Sequence, residues 1–127
     1  MGIQSNSYQD LTVWQRAMDL VVKMYNITEN FPSSERFGLV SQMQRAAVAI
    51  PSNIAEGQKR GHPREFLQFL RISYGSGAEL ETQIEICKRL PKLKDLDYTQ
   101  AEALLQEVMK MLNALIRSLK NSGSTIN

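Results

Sequence analysis

The chain has 127 residues, of which 43% are apolar and 22% charged, and it carries a net charge of +2. A chain of that length makes one domain able to bury a core, and the composition is that of an ordinary globular protein. So small a net charge excludes a general nucleic-acid coat, and any such binding must come from a local patch.

Residues 1–10 are polar and read as a mobile tail. They lack the basic and apolar regions of a secretory signal. Asn6 stands where a myristoylation motif would have Ser or Thr. No apolar run approaches the roughly 18 residues of a membrane span, so no membrane partner is expected. Cys87 is the sole cysteine and has no internal disulfide partner, which suits a reducing cytoplasm.

A first helix is expected from about Thr12 to Asn30. Its seam reads Leu11, Trp14, Met18, Val21 and Tyr25, at steps of three and four. Phe31-Pro32-Ser33-Ser34 is a turn, because proline disfavours helix at Phe31 and either serine can cap the next helix. Glu35 then sits near a helix start, where a negative charge meets the positive end of the dipole.

The second helix, from Phe37 to Arg60, carries two stripes. Leu39, Met43, Ala46, Ile50, Ile54 and Gly57 form a core seam. Gln42, Arg45, Ala49, Asn53, Glu56 and Arg60 form a polar stripe at the same period. Pro51 removes one backbone donor and crowds the carbonyl four residues back. The apolar steps continue in phase past it, so the pattern predicts a continuous helix kinked near Pro51.

Gly61-His62-Pro63 stops that helix and starts the next. The third helix, from Pro63 to about Leu90, has the seam Phe66, Leu70, Ser73, Gly77, Leu80, Ile84 and Cys87. This four-three alternation is the repeat of bundle packing. Its centre is small: Ser73, Gly75, Ser76, Gly77 and Ala78. Either a bulky neighbour such as Trp14 or a kinked helix packs closely there, or the stretch is a groove for a ligand or a second subunit. Pro91 ends the helix. Asp97 with Gln100 resembles a capping box for a fourth helix from about Tyr98 to Lys120. Leu104, Val108, Met111, Leu115 and Leu119 form its stripe. Leu105, Leu112 and Ile116 widen it enough to suggest a second partner. Residues 121–127 read as a mobile tail. The expected fold is all-α: an antiparallel up-down four-helix bundle over residues 11–120.

Nothing in the pattern points to catalysis, a cofactor or a metal. His62 is the sole histidine and precedes a proline in a loop. The Glu-x-x-His pairs of metal-holding bundles are absent. Cys87 falls on an apolar seam, where a buried inert thiol is expected. Gly75-Ser76-Gly77 lacks the strand and lysine of a phosphate loop. Glu79, Glu81 and Glu85 read as an exposed face paired with Arg45, Lys88 or Arg89. The stripe of Gln42, Arg45, Asn53 and Glu56 reads as a polar interface between helices or subunits, with a solvated face and a ligand site as alternatives.

The basic residues form two clusters. Lys59, Arg60, Arg64 and Arg71 bracket the turn from the second helix to the third, opposed by Glu65. Lys88, Arg89, Lys92 and Lys94 bracket the next loop, with Asp95. In an antiparallel bundle the two clusters fall at opposite ends. A ring would repeat each one around its axis. The first cluster is the candidate nucleic-acid surface.

Several short runs resemble a known family. They are Leu11-x-Val13-Trp14-Gln15, Phe31-Pro32-x-x-Glu35-x-Phe37-Gly38-Leu39 and Gln42-x-x-Arg45-Ala46-Ala47. Ile50-Pro51-x-Asn53-Ile54-Ala55-Glu56-Gly57 and Gly75-Ser76-x-x-Glu79-Leu80-Glu81-x-Gln83 continue the series. In order and spacing these are similar to the four-helix-bundle family of 23S rRNA intervening-sequence proteins, over roughly residues 10–120. The resemblance implies a cytoplasmic bacterial protein that assembles as a ring, typically a homopentamer, without enzymatic activity. A related bundle is the accessory protein of reverse transcriptases in diversity-generating retroelements, which binds nucleic acid through a basic surface. Two roles are expected from this: an oligomer associated with RNA or another nucleic acid, or an assembly adaptor whose partner is a protein. A small-molecule-binding bundle is a minor third.

Overall fold

The computed structural model describes residues 7–126, with side chains described through residue 122. Four α-helices dominate: α1 (Thr12–Thr28), α2 (Ser41–Lys59), α3 (Pro63–Arg89) and α4 (Thr99–Ile126). No strand occurs among the described residues, so the chain is all-α. Residues 1–6, the larger part of the expected N-terminal tail, lie outside the described residues. The remainder of that tail is placed: the Ser7 hydroxyl accepts a bond from the Gln9 N–H, a 3-10 turn covers Tyr8–Asp10, and the Tyr8 ring meets the Trp14 ring edge-on at 5.2 Å. At the other terminus α4 continues to Ile126, beyond the Lys120 at which the apolar stripe ends.

Contacts between helices fix the sense of each pair. Arg16 and Lys23 of α1 bond Glu107 and Gln100 of α4, so the numbering climbs on one helix as it falls on the other. The Gln44 amide of α2 donates to the Thr28 hydroxyl at the end of α1. From α2 to α3, Met43 meets Cys87, Ile50 meets Ser73 and Gly57 meets Phe69. From α3 to α4, Gly77 meets Met109 and Lys88 meets Glu102. Consecutive helices therefore run in opposite directions, and α4 closes back on α1.

Two seams bury much as their spacing requires. On α2, Met43, Ala46, Ile50, Ile54 and Gly57 are buried, and Leu39, in the turn before the helix, is half-buried. On α3, Leu70, Ser73, Gly77, Leu80, Ile84 and Cys87 are buried and Phe66 is half-buried. On α4 burial goes to Leu105, Val108 and Leu112; of the expected stripe Val108 alone is buried, and Leu104, Met111, Leu115 and Leu119 are half-buried, packed against the core with Ile116. The first seam is different. The buried residues of α1 are Val13, Ala17, Leu20, Met24 and Thr28. Of the stripe expected to bury, Met18 and Tyr25 stay 39% and 44% exposed, and Trp14 and Val21 are half-buried. The helix is turned by about one residue, roughly 100°.

The connections also differ in detail. Neither Ser33 nor Ser34 caps a helix. Ser33–Glu35 is a 3-10 turn, and Arg36–Val40 is a single wide turn in which Gly38 leaves helical geometry at φ −108° and ψ −106°. Glu35 sits at the start of that turn. The helix α2 runs through Pro51 without a break. At that point the Ser73 hydroxyl of α3 donates to the Ile50 carbonyl at 2.8 Å, tying the two helices together. Gly61, at φ 71°, adopts the left-handed conformation that ends α2, and Pro63 starts α3. The small centre of α3 accommodates Met109 at Gly77, and not Trp14. Before α4, Asp97 accepts the Thr99 N–H at 3.0 Å, but Gln100 accepts from Lys23 and does not complete a capping box.

Candidate nucleic-acid and assembly surfaces

The first basic cluster lies where α2 turns into α3. Its four members are not equivalent. Arg60 is held by Glu56 at 3.2 Å and Glu65 at 3.5 Å, and its guanidinium lies 5.0 Å from the centre of the Phe69 ring. Lys59, Arg64 and Arg71 are exposed, and none has a carboxylate within ion-pairing distance among the described residues. Arg64 and Arg71 are seven residues apart and so share one face of α3. The α3–α4 register continues from Lys88–Glu102 through Gly77–Met109. It brings this face alongside the last turns of α4, which carry the exposed Arg117 and Lys120. These two cations extend the basic end. They lie far along the chain from the turn, so their only signal in the sequence is the antiparallel register.

Two of the four members of the second cluster are paired. Lys88 bonds Glu102 at 2.5 Å and Glu85 at 3.4 Å, and Arg89 reaches Glu85 at 3.8 Å. The Glu102 bond raises the Lys88 ammonium above its ordinary range. Lys92 and Lys94 remain exposed. Beside Lys88 a cleft of about 240 Å³ opens between α3 and α4, lined by Glu81, Glu85, Glu102 and Gln106 over Ile84 and Leu105.

Among the described residues the polar stripe of α2 reaches a neighbouring helix at its last member alone, where Arg60 links Glu56 to Glu65 of α3. The Asn53 amide donates to the Ala49 carbonyl of its own helix at 2.8 Å, and Glu56 is taken by Arg60 four residues on. Gln42 and Arg45 are exposed. Arg45 lines a groove of about 680 Å³ between α1 and α2, with Tyr25, Arg36, Phe37, Val40, Gln44 and Val48. Farther along, Trp14, Met18, Val21, Val48, Pro51 and Ala55 line a second hollow. The α1 stripe of Trp14, Met18, Val21 and Tyr25 therefore forms one wall of this groove instead of a core seam. Phe37 is 90% exposed at its end, with the Arg36 guanidinium 5.7 Å from the ring centre. Val22, on the same side of α1 as Met18 and Tyr25 by helical spacing, is 58% exposed.

Cys87 is buried, its thiol directed to the Met43 sulfur at 3.6 Å, and burial pushes it above the ordinary thiol range. His62 is exposed and precedes α3 without a side-chain capping bond. Among the described residues no group of His, Cys, Asp and Glu is placed to hold a metal, and no helix is long and apolar enough to cross a membrane.

A search of curated proteins found no match to this chain. A family model described as 23S rRNA-intervening sequence protein matches residues 9–114. That span takes in the Tyr8–Asp10 turn from its second residue, α1 to α3 complete, and α4 as far as its last turns. With most of its length matched and the helices in place, the chain belongs to the 23S rRNA-intervening sequence protein family.

Proposed function

We propose that this chain is a non-enzymatic cytoplasmic protein that assembles with copies of itself and associates with RNA through its basic end. The observation that carries the assembly is the set of exposed apolar side chains on α1, on the turn before α2 and on α2 itself: Met18, Val22, Tyr25, Phe37 and Val48. Soluble chains that stay single seldom keep so long an apolar face in water. The family resemblance suggests a ring of five. The RNA reading is supported by Lys59, Arg64, Arg71, Arg117 and Lys120 at one end, clear of carboxylate partners. A non-enzymatic role is supported by the burial of the Cys87 thiol.

Light scattering at micromolar concentration tests the assembly. The expected mass is several times 14.4 kDa, and a mass of one chain rejects it. Fluorescence anisotropy with a duplex RNA tests the second half. Binding is expected at low salt, and Arg64→Glu with Arg71→Glu should abolish it while the mass stays unchanged. An intact oligomer that binds no RNA points instead to an adaptor whose partner is a protein.

A further inference from the structure

Two surfaces on the outside of the bundle expose apolar side chains. One is the groove between α1 and α2. It is continuous, because Val48 lines both of its hollows. Along α2 it extends from Val40 to Ala55, about 22 Å at the helical rise. The other is the outer ridge of α3. Ile72 and Ile86 are 47% and 42% exposed there, two heptads apart with Glu79 midway. The ridge spans about 21 Å, so the two surfaces match in length.

They also match in charge. The groove carries Arg36 and Arg45, and neither has a carboxylate within ion-pairing distance among the described residues. The ridge carries Glu79, which has no cation within that distance among the described residues. Apolar side chains at the ends of the ridge and a carboxylate at its middle suit a groove with apolar walls and an arginine on its rim. The geometry points to a head-to-tail contact in which the Ile72–Glu79–Ile86 ridge of one copy lies in the α1–α2 groove of the next, with Glu79 meeting Arg45 and Phe37 buried against the ridge. This rests on the self-association proposed above and names the surfaces that make it. Each copy offers one groove and one ridge, so the contact is heterologous and repeats until its rotation closes a ring.

The test compares the wild type, Arg45→Glu, Glu79→Arg and an equal mixture of the two variants by light scattering, with circular dichroism to check that each keeps its helices. Each variant alone brings like charges together and should assemble about tenfold or more weakly. The mixture should regain mass in part, because the reversed groove of one variant meets the reversed ridge of the other at every contact between unlike copies, while a ring with an odd number of copies keeps one like-charged contact. An Arg45–Glu79 pair within one chain would gain nothing from mixing. Phe37→Ser, at a side chain 90% exposed in the single chain, should weaken assembly without loss of helix. Variants that keep the wild-type mass, or a mixture that stays dissociated, overturn this interface and leave self-association standing. A wild type with the mass of one chain removes both.

Discussion

Cys87 and Tyr98 give the core its response to alkali. The Cys87 thiol is raised above its ordinary value of 9.0, first by burial. Burial also raises the Tyr98 phenol above its ordinary 10.0, and its hydroxyl donates to the Leu93 carbonyl at 2.8 Å. Both groups keep their protons in the folded chain over a range in which the unfolded chain releases them. Stability is therefore full below 9.0 and falls as pH rises above it. Thermal unfolding followed from pH 7 to 11 should show a falling midpoint from about pH 9, less steep in Cys87→Ala. A flat profile would mean that neither group is held neutral by folding. Glycines give a second contrast. A Cβ at Gly57 would meet the Cβ and ring of Phe69, which cannot swing aside, whereas at Gly75 it would meet nothing within 4 Å. Gly57→Ala should cost about 1–3 kcal/mol through overpacking. Gly75→Ala should stabilise by about 0.5–1 kcal/mol through helix propensity. Urea unfolding measures both, and equal midpoints would contradict the packing argument.

At the scale of elements, α1 shows what periodicity can and cannot decide. On α3 one apolar stripe runs through polar neighbours, so its seam was legible from Leu70 to Cys87. On α1 two stripes compete, Val13-Ala17-Leu20-Met24 and Trp14-Met18-Val21-Tyr25. Their spacing is equal, and the second has the larger side chains. Burial goes to the first because Ala17 lets neighbouring helices approach, and both α2 and α4 pack on α1. No count within α1 alone contains that information. The same limit hid Arg117 and Lys120, whose company with Arg64 and Arg71 depends on how α4 lies against α3. The polar stripe of α2 was legible as an outward face, but its partners were not, because Asn53 and Glu56 bond within their own helix. The choice of stripe has a measurable consequence. Leu20→Ala should cost about 2–5 kcal/mol, as for a fully buried leucine. Met18→Ala, at a side chain 39% exposed, should cost less than about 1 kcal/mol at concentrations low enough to keep the chain single. Comparable losses in the two variants would return the core to the second stripe.

For the whole molecule, the salt dependence of RNA binding reports how many copies act together. One chain presents Lys59, Arg64, Arg71, Arg117 and Lys120 at its basic end, while Arg60 is occupied by Glu56 and Glu65. Each phosphate neutralised on a duplex contributes about 0.9 to the slope of log affinity against log salt. If all five side chains of one copy contact phosphates, the slope reaches about 4.5 and no more. A ring that turns this end of several copies toward one RNA exceeds that ceiling. Anisotropy titrations of a duplex RNA across a salt series should therefore give a slope steeper than about 4.5 for the assembled protein. Under conditions that keep the chain single, by Phe37→Ser or dilution, the slope should fall below that value and affinity should drop with it. Sequence preference should stay weak, because contacts to phosphate position a protein without reading bases. A slope that does not change when the oligomer dissociates would show that RNA meets one copy at a time, and that the ring serves some purpose other than gathering charge.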